Sequence, residues 1–156
     1  MKRRDSFLYV FGLLAVAALA ALVMSSCKAK TPAQAEKLTL DSVVAVMGRA
    51  SGSSSGVSEM TQEGDTYIIN YHLMLPEKQD YDVLIGTDMA PKIAALYKTF
   101  KTLDKVTFTV ETGDVSNPAN MQPYCSFDMT RKVYEQLNWT NLLARDLFKV
   151  CKVSYR

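Results

Sequence analysis

Histidine and tryptophan each occur once in the 156 residues, and cysteine only three times. With His72 as the single imidazole, histidine-based acid–base chemistry has one candidate, and no serine, cysteine or aspartate stands at a suggestive spacing from it. Two distant cysteines and one histidine are also too few for a closed zinc site, which takes four ligands. Charge of one sign is lacking too. The chain carries 18 Lys and Arg against 16 Asp and Glu, and setting aside the leader residues Lys2, Arg3, Arg4 and Asp5 leaves 15 against 15. A neutral domain has neither the basic footprint of a nucleic-acid binder nor a polybasic patch for an anionic lipid surface. The stretch from Gly48 to Gly56 is rich in glycine and serine but lacks the lysine and the strand-before-helix setting of a phosphate-binding loop. It reads as a connection. No catalytic set, metal or cofactor is therefore expected.

What is present begins at the N-terminus. Met1-Lys2-Arg3-Arg4 is a compact positive cluster, and residues 7–23 are almost wholly Leu, Ala, Val, Phe and Gly. A basic start, a short apolar run and small residues at its end form the layout of a secretory signal. The cations stay on the cytoplasmic side while the apolar stretch enters the bilayer. The run closes on Met24-Ser25-Ser26-Cys27, which resembles the lipobox of bacterial lipoproteins; Met24 stands where that family usually has Leu. The resemblance is confined to about the first thirty residues. It implies acylation of the Cys27 thiol, cleavage just before it, and attachment to the membrane through that lipid. Lys28 after the cysteine implies, in a Gram-negative cell, sorting to the outer membrane with the domain facing the periplasm. An uncleaved single-span anchor is the other reading of the run, which is close to the roughly 20 residues that a span requires.

These readings divide the chain into a signal peptide at 1–26, a flexible tether at 27–38 and a single domain at 39–156. The tether is polar, small and interrupted by Pro32. The remainder is long enough for one core and too short for two. Leu40, Val43, Val44 and Met47 recur at helical spacing behind Thr39 as N-cap. A strand over Val57–Gln62, a turn at Glu63-Gly64-Asp65 and a strand through Leu75 form a hairpin. In the second strand Tyr67, Ile69, Tyr71, Leu73 and Leu75 face inward, and Ile68, Asn70, His72 and Met74 lie on a mixed face. A helix is expected from near Asp88, with Pro91 in its first turn, followed by a strand on Val106, Phe108 and Val110. A further strand from Gln122 to Met129 points Cys125, Phe127 and Met129 inward and Tyr124, Ser126 and Asp128 outward. Thr130 caps a helix, and a second helical stretch carries Trp139, Leu142, Leu143, Leu147 and Val150. The last residues alternate from Cys151 to Tyr155 and read as helix or strand. The expected fold is α+β, a mostly antiparallel four-stranded sheet with helices on one face.

With Cys27 lipidated, Cys125 and Cys151 remain as an even pair. In an exported protein they form either a disulfide or two buried thiols. Asp80, Asp82 and Asp88 lie near one another, but the glycine and terminal glutamate of an EF-hand loop are missing. Trp139 shares a stripe with Leu142 and Leu143, which favours packing over recognition. The functional expectation is a non-enzymatic envelope lipoprotein that binds a protein partner or another envelope component. The alternative is a hydrolase of wall or glycan substrates working through Asp80, Asp82 and Asp128, and a third class is a calcium or small-ligand module.

Overall fold

A computed structural model describes residues 37–75 and 80–156. The expected signal peptide, Cys27 and nearly all of the tether lie outside the described residues. Leu38, assigned to the end of the tether, is buried at 2% exposure and belongs to the core.

The domain is α+β, with a five-stranded mixed sheet in place of the expected four strands. Helix α1 (Leu40–Met47) opens on the Thr39 cap. The Thr39 side chain accepts from the Ser42 backbone N–H, and Ser42 returns a contact to the Thr39 backbone N–H, so two orphan donors of the first turn are satisfied together. Strands β1 (Gly56–Glu63) and β2 (Thr66–Leu75) form the hairpin, turning at Gly64-Asp65. Strand β3 (Lys105–Asp114) lies parallel to β2, and β4 (Asn117–Thr130) and β5 (Lys152–Tyr155) continue antiparallel in the order β1-β2-β3-β4-β5. The parallel pair follows from chain order. Helix α2 (Tyr81–Thr99) lies between β2 and β3 and carries the chain back to the end of the sheet where β2 began; two strands joined by such a crossover must run the same way. The ambiguous C-terminus is a strand.

Helix α2 is longer than its sequence suggested. Asp80 caps it by accepting from the Val83 N–H, and Pro91 falls inside the helix. Ile85, Met89, Ile93, Leu96 and Tyr97 form a buried stripe at three- and four-residue spacing that runs straight past the proline. Burying each such side chain contributes about 1.5–3 kcal/mol, so the stripe offsets the roughly 3 kcal/mol that an interior proline costs. Against it pack Ile69, Tyr71, Leu73 and Leu75 of β2, Val106, Phe108 and Val110 of β3, and Cys125, Phe127 and Met129 of β4, all buried. The described helices pack on this face. On the other face Ile68, Asn70, His72, Met74, Thr107, Thr109, Glu111, Ser126 and Asp128 are half-buried.

After the short helix α3 (Arg131–Gln136), capped by Thr130 as expected, the chain departs from the predicted continuous helix. Residues 137–143 are irregular, a 3-10 turn spans Ala144–Asp146, and helix α4 is only Leu147–Val150. The predicted stripe breaks up accordingly: Leu147 is buried, while Leu143 and Val150 are exposed. At the 144 turn this segment comes close to α2. A methyl group on Gly86 would run into the Ala144 carbonyl oxygen and lie 2.6 Å from its carbonyl carbon. Gly86→Ala therefore separates two effects. Alanine is the better helix former by about 1 kcal/mol, but overpacking against backbone costs typically ~1–3 kcal/mol. Net destabilisation is expected in thermal or urea unfolding, and a rise in stability would show that the 144 turn yields freely.

Candidate functional site

The carboxylates of the hydrolase reading are dispersed. Asp80 is the N-cap of α2. Asp82, one turn in, accepts from two phenols, Tyr124 Oη at 3.0 Å and Tyr155 Oη at 2.8 Å. Asp128 lies on the opposite face of the sheet, where Lys105 Nζ at 2.8 Å and Thr107 Oγ1 at 2.6 Å hold it. Desolvation opposes ionisation of Asp128, but these two hydrogen bonds and the charges of Lys105 and Lys152 outweigh it and keep the carboxyl below its usual range. Asp88 pairs with Lys92 at 2.8 Å and accepts from the buried Tyr71 hydroxyl, which also meets Lys92. Each carboxylate is thus tied to its own neighbours, and the sheet separates Asp128 from Asp80 and Asp82 at the start of α2.

Tyr124, expected on the outer face, turns toward the helices. Val110 pairs with Cys125, yet Glu111 pairs with Pro123, so Tyr124 is the extra residue of a β-bulge and its direction is reset. It lies edge-on to Tyr81 at 5.2 Å and to Tyr155 at 5.7 Å between ring centroids. The three rings gather over Asp82. Desolvation first, and then the Asp82 hydrogen bond and charge, push the Tyr155 phenol up to about 12 from 10.0. Its ring is 57% exposed, but its hydroxyl end is the part held against the carboxylate.

Cys125 and Cys151 are free and buried, so the disulfide reading gives way to that of two apolar thiols. The register gives the reason. Asp128 pairs with Lys152, which places Cys151 beside Met129, four residues along β4 from Cys125. At about 3.3 Å per residue the separation is roughly 13 Å, well beyond the ~7 Å that a bridge permits. Desolvation, with a smaller push from Asp82 on Cys125 and from Asp128 on Cys151, raises both thiols to about 12. A thiol so far from ionising at neutral pH is a poor nucleophile.

Trp139 packs rather than projects. Its Nε1 donates to the Tyr134 carbonyl at 2.8 Å, and its ring tilts over that of Tyr134 at 5.3 Å. Together with Leu142, Leu143 and Ala144 it faces Ala90 and Ala94 of α2 across a shallow groove of about 330 Å³. His72 is where its strand period put it, on the open face. Its side chain is 26% exposed, and Nε2 lies 2.9 Å from Glu111 Oε2 on the neighbouring strand. Glu111 was not singled out from the sequence, because only the β2–β3 register brings it there. Among the described residues no three His, Cys, Asp or Glu side chains converge as metal ligands.

Two outcomes are expected. In a pH titration followed by tyrosinate absorbance, Tyr155 ionises near 12, and Asp82→Asn moves that step back toward 10.0. The stability from a raised folded pKa is fully present below the unfolded value and is lost as the pH rises through the folded one, so this part of the stability declines between pH 10.0 and about 12; an unchanged titration in the variant would disprove the Asp82 contact. A thiol-specific reagent should leave Cys125 and Cys151 unmodified in the native protein and label both on unfolding, whereas an intact mass lacking two hydrogens would mean a bridge. Compared with known proteins, the chain matches no family model, no curated protein and no solved structure, and its site rests on its own geometry.

Proposed function

We propose that this chain is a lipid-anchored lipoprotein of the bacterial cell envelope, cleaved before Cys27, whose α+β domain is a non-enzymatic binding module. The lipobox-like Met24-Ser25-Ser26-Cys27 behind a basic and apolar leader supports the address. Lys28 favours the outer membrane, with the domain in the periplasm. A binding role is supported by one observation above the others: the sheet separates Asp128 from Asp80 and Asp82, and Asp82 and Asp128 are each held by Tyr, Lys or Thr partners. The half-buried open face, with Ile68 and Met74 set among Asn70, His72 and Thr109, is the surface that offers a ligand or an envelope partner both polar and apolar groups.

The address is tested by the intact mass of the protein extracted from membranes. The expected species begins at Cys27 and carries acyl chains, and Cys27→Ala should accumulate as uncleaved precursor. A mass beginning at Met1 without lipid would refute the anchor and leave the single-span reading. The binding role is tested separately, by crosslinking in cells. Repeated failure to retain any partner or ligand, or hydrolysis of wall fragments that disappears in Asp82→Ala, would count against it.

A further inference from the structure

His72 and Met74 are alternate residues of β2 on its open face, because Tyr71, Leu73 and Leu75 take the core. The parallel register sets Glu111 beside His72 and Gly113 beside Met74. Beyond the Tyr124 bulge, Thr112 pairs with Gln122, which brings Met121 over Gly113. A methyl group on Gly113 would collide with Met121 Sδ and lie 3.4 Å from Met74 Sδ, so one point above this glycine touches both sulfurs. Three strands thereby bring an imidazole and two thioethers to one end of the open face, around a residue with no side chain. Met74, Met121 and His72 are half-buried there, reachable from solvent yet partly shielded from it.

We infer that His72, Met74 and Met121 form a binding site for a soft monovalent cation, Cu(I). Thioether sulfur is a soft and uncharged donor that discriminates against calcium, magnesium and other hard ions, and with imidazole it suits Cu(I). Glu111 completes the arrangement. A carboxylate 2.9 Å from one imidazole nitrogen fixes the ring and its tautomer and leaves the other nitrogen's lone pair for a metal. Its negative charge also balances a monovalent cation on an otherwise neutral donor set. The long rotatable side chains of the methionines let both sulfurs close on an ion without moving the strands. The bulge is essential to this set. Had β4 kept the register of Val110 with Cys125, Gln122 and not Met121 would stand opposite Gly113.

This names a ligand for the binding domain proposed above and rests on that reading only for its setting. Cu(I) uptake by protein in solution and lipidation of Cys27 succeed or fail independently. The full-length chain in detergent is titrated anaerobically with Cu(I) against a chromophoric Cu(I) chelator. One Cu(I) per chain is expected to be withdrawn from the chelator, with no comparable uptake of Zn(II) or Ca(II). Met74→Leu and Met121→Leu, which conserve volume and should fold, each weaken the competition by roughly tenfold or more, in the range that metal-site substitutions produce. The double variant and His72→Gln abolish it. A second reading needs no variant: on addition of Ag(I) as a redox-silent substitute, only the Met74 and Met121 methyl resonances among the 8 methionines should shift. Absence of competition by the wild-type chain, undiminished affinity in the double methionine variant, or shifts spread over the other methionines would each overturn the site.

Discussion

Arg131 holds the two layers together. Helix α2 ends in carbonyls with no partner in the helix, as every helix does, and the Arg131 guanidinium donates to three at that end: Tyr97 at 3.0 Å, Phe100 at 2.6 Å and Leu103 at 3.1 Å. A cation at a helix C-terminus also meets the negative end of the helix dipole. The guanidinium lies over the rings of Tyr97 and Tyr134, at 4.9 and 5.3 Å from their centroids. The Tyr97 hydroxyl donates in turn to the Met129 carbonyl at 2.6 Å, and the Arg131 backbone N–H donates to the Asp104 carbonyl at 2.6 Å. The end of α2, the start of β3, the end of β4 and the start of α3 therefore meet at one side chain. Lysine would keep the charge but not the planar fork that reaches three carbonyls at once.

In the middle of α2 the polar contacts are weaker in energy and serve position. The Asp88–Lys92 pair keeps about a quarter to a third of its side-chain surface in solvent, at 31% and 26%, so screening holds its net worth to about 0–1 kcal/mol. The apolar stripe beside it, at about 1.5–3 kcal/mol per side chain, decides that the helix docks. What the pair adds is a partner for the hydroxyl of Tyr71, a ring with no exposed surface. Leaving that hydroxyl unsatisfied would cost about 1–3 kcal/mol, and only one axial position of α2 avoids it. The hydrophobic stripe favours contact over a range of positions along the sheet, and the Tyr71–Asp88–Lys92 cluster selects among them.

Much of this was legible in the residues, and the misses share a cause. The alternation of β2 and β3 and the caps at Thr39 and Thr130 are local, and local chemistry predicted them. The first half of α2 was missed because Pro91 was placed in the first turn, which set the start near Asp88, and Gly86 lies in the half left out. Both are explained by long-range partners, Gly86 by the Ala144 backbone and Pro91 by a buried stripe that continues past it. The stripe was visible as Ile85, Met89 and Ile93, four residues apart, and could have outvoted the proline. The 137–146 segment failed in the opposite sense, since its leucines suggested a continuous helix where only Leu147 is fully buried. The fate of Cys125 and Cys151 depended on the β4–β5 register, to which composition gives no access. His72 was placed on its face by period alone, but its carboxylate neighbour came from a parallel pairing that no short-range pattern announces.

One residue separates the two ends of the sheet in character. Up to Cys125, strand β4 keeps step with β3, packs Phe127 and Met129 into the core and offers its far edge to β5. At Tyr124 the ladder takes in an extra residue, and its two consequences lie on opposite faces. On the helix side the displaced ring reaches Asp82, and with Tyr81 and Tyr155 it closes the N-terminal end of α2. On the open side the strand continues one residue out of phase, so Met121 comes opposite Gly113 beside Met74 and Gln122 is moved off that position. The aromatic closure and the thioether pair are thus not independent features. A β4 without the bulge would lose both, while its alternating core residues from Cys125 onward would be unchanged.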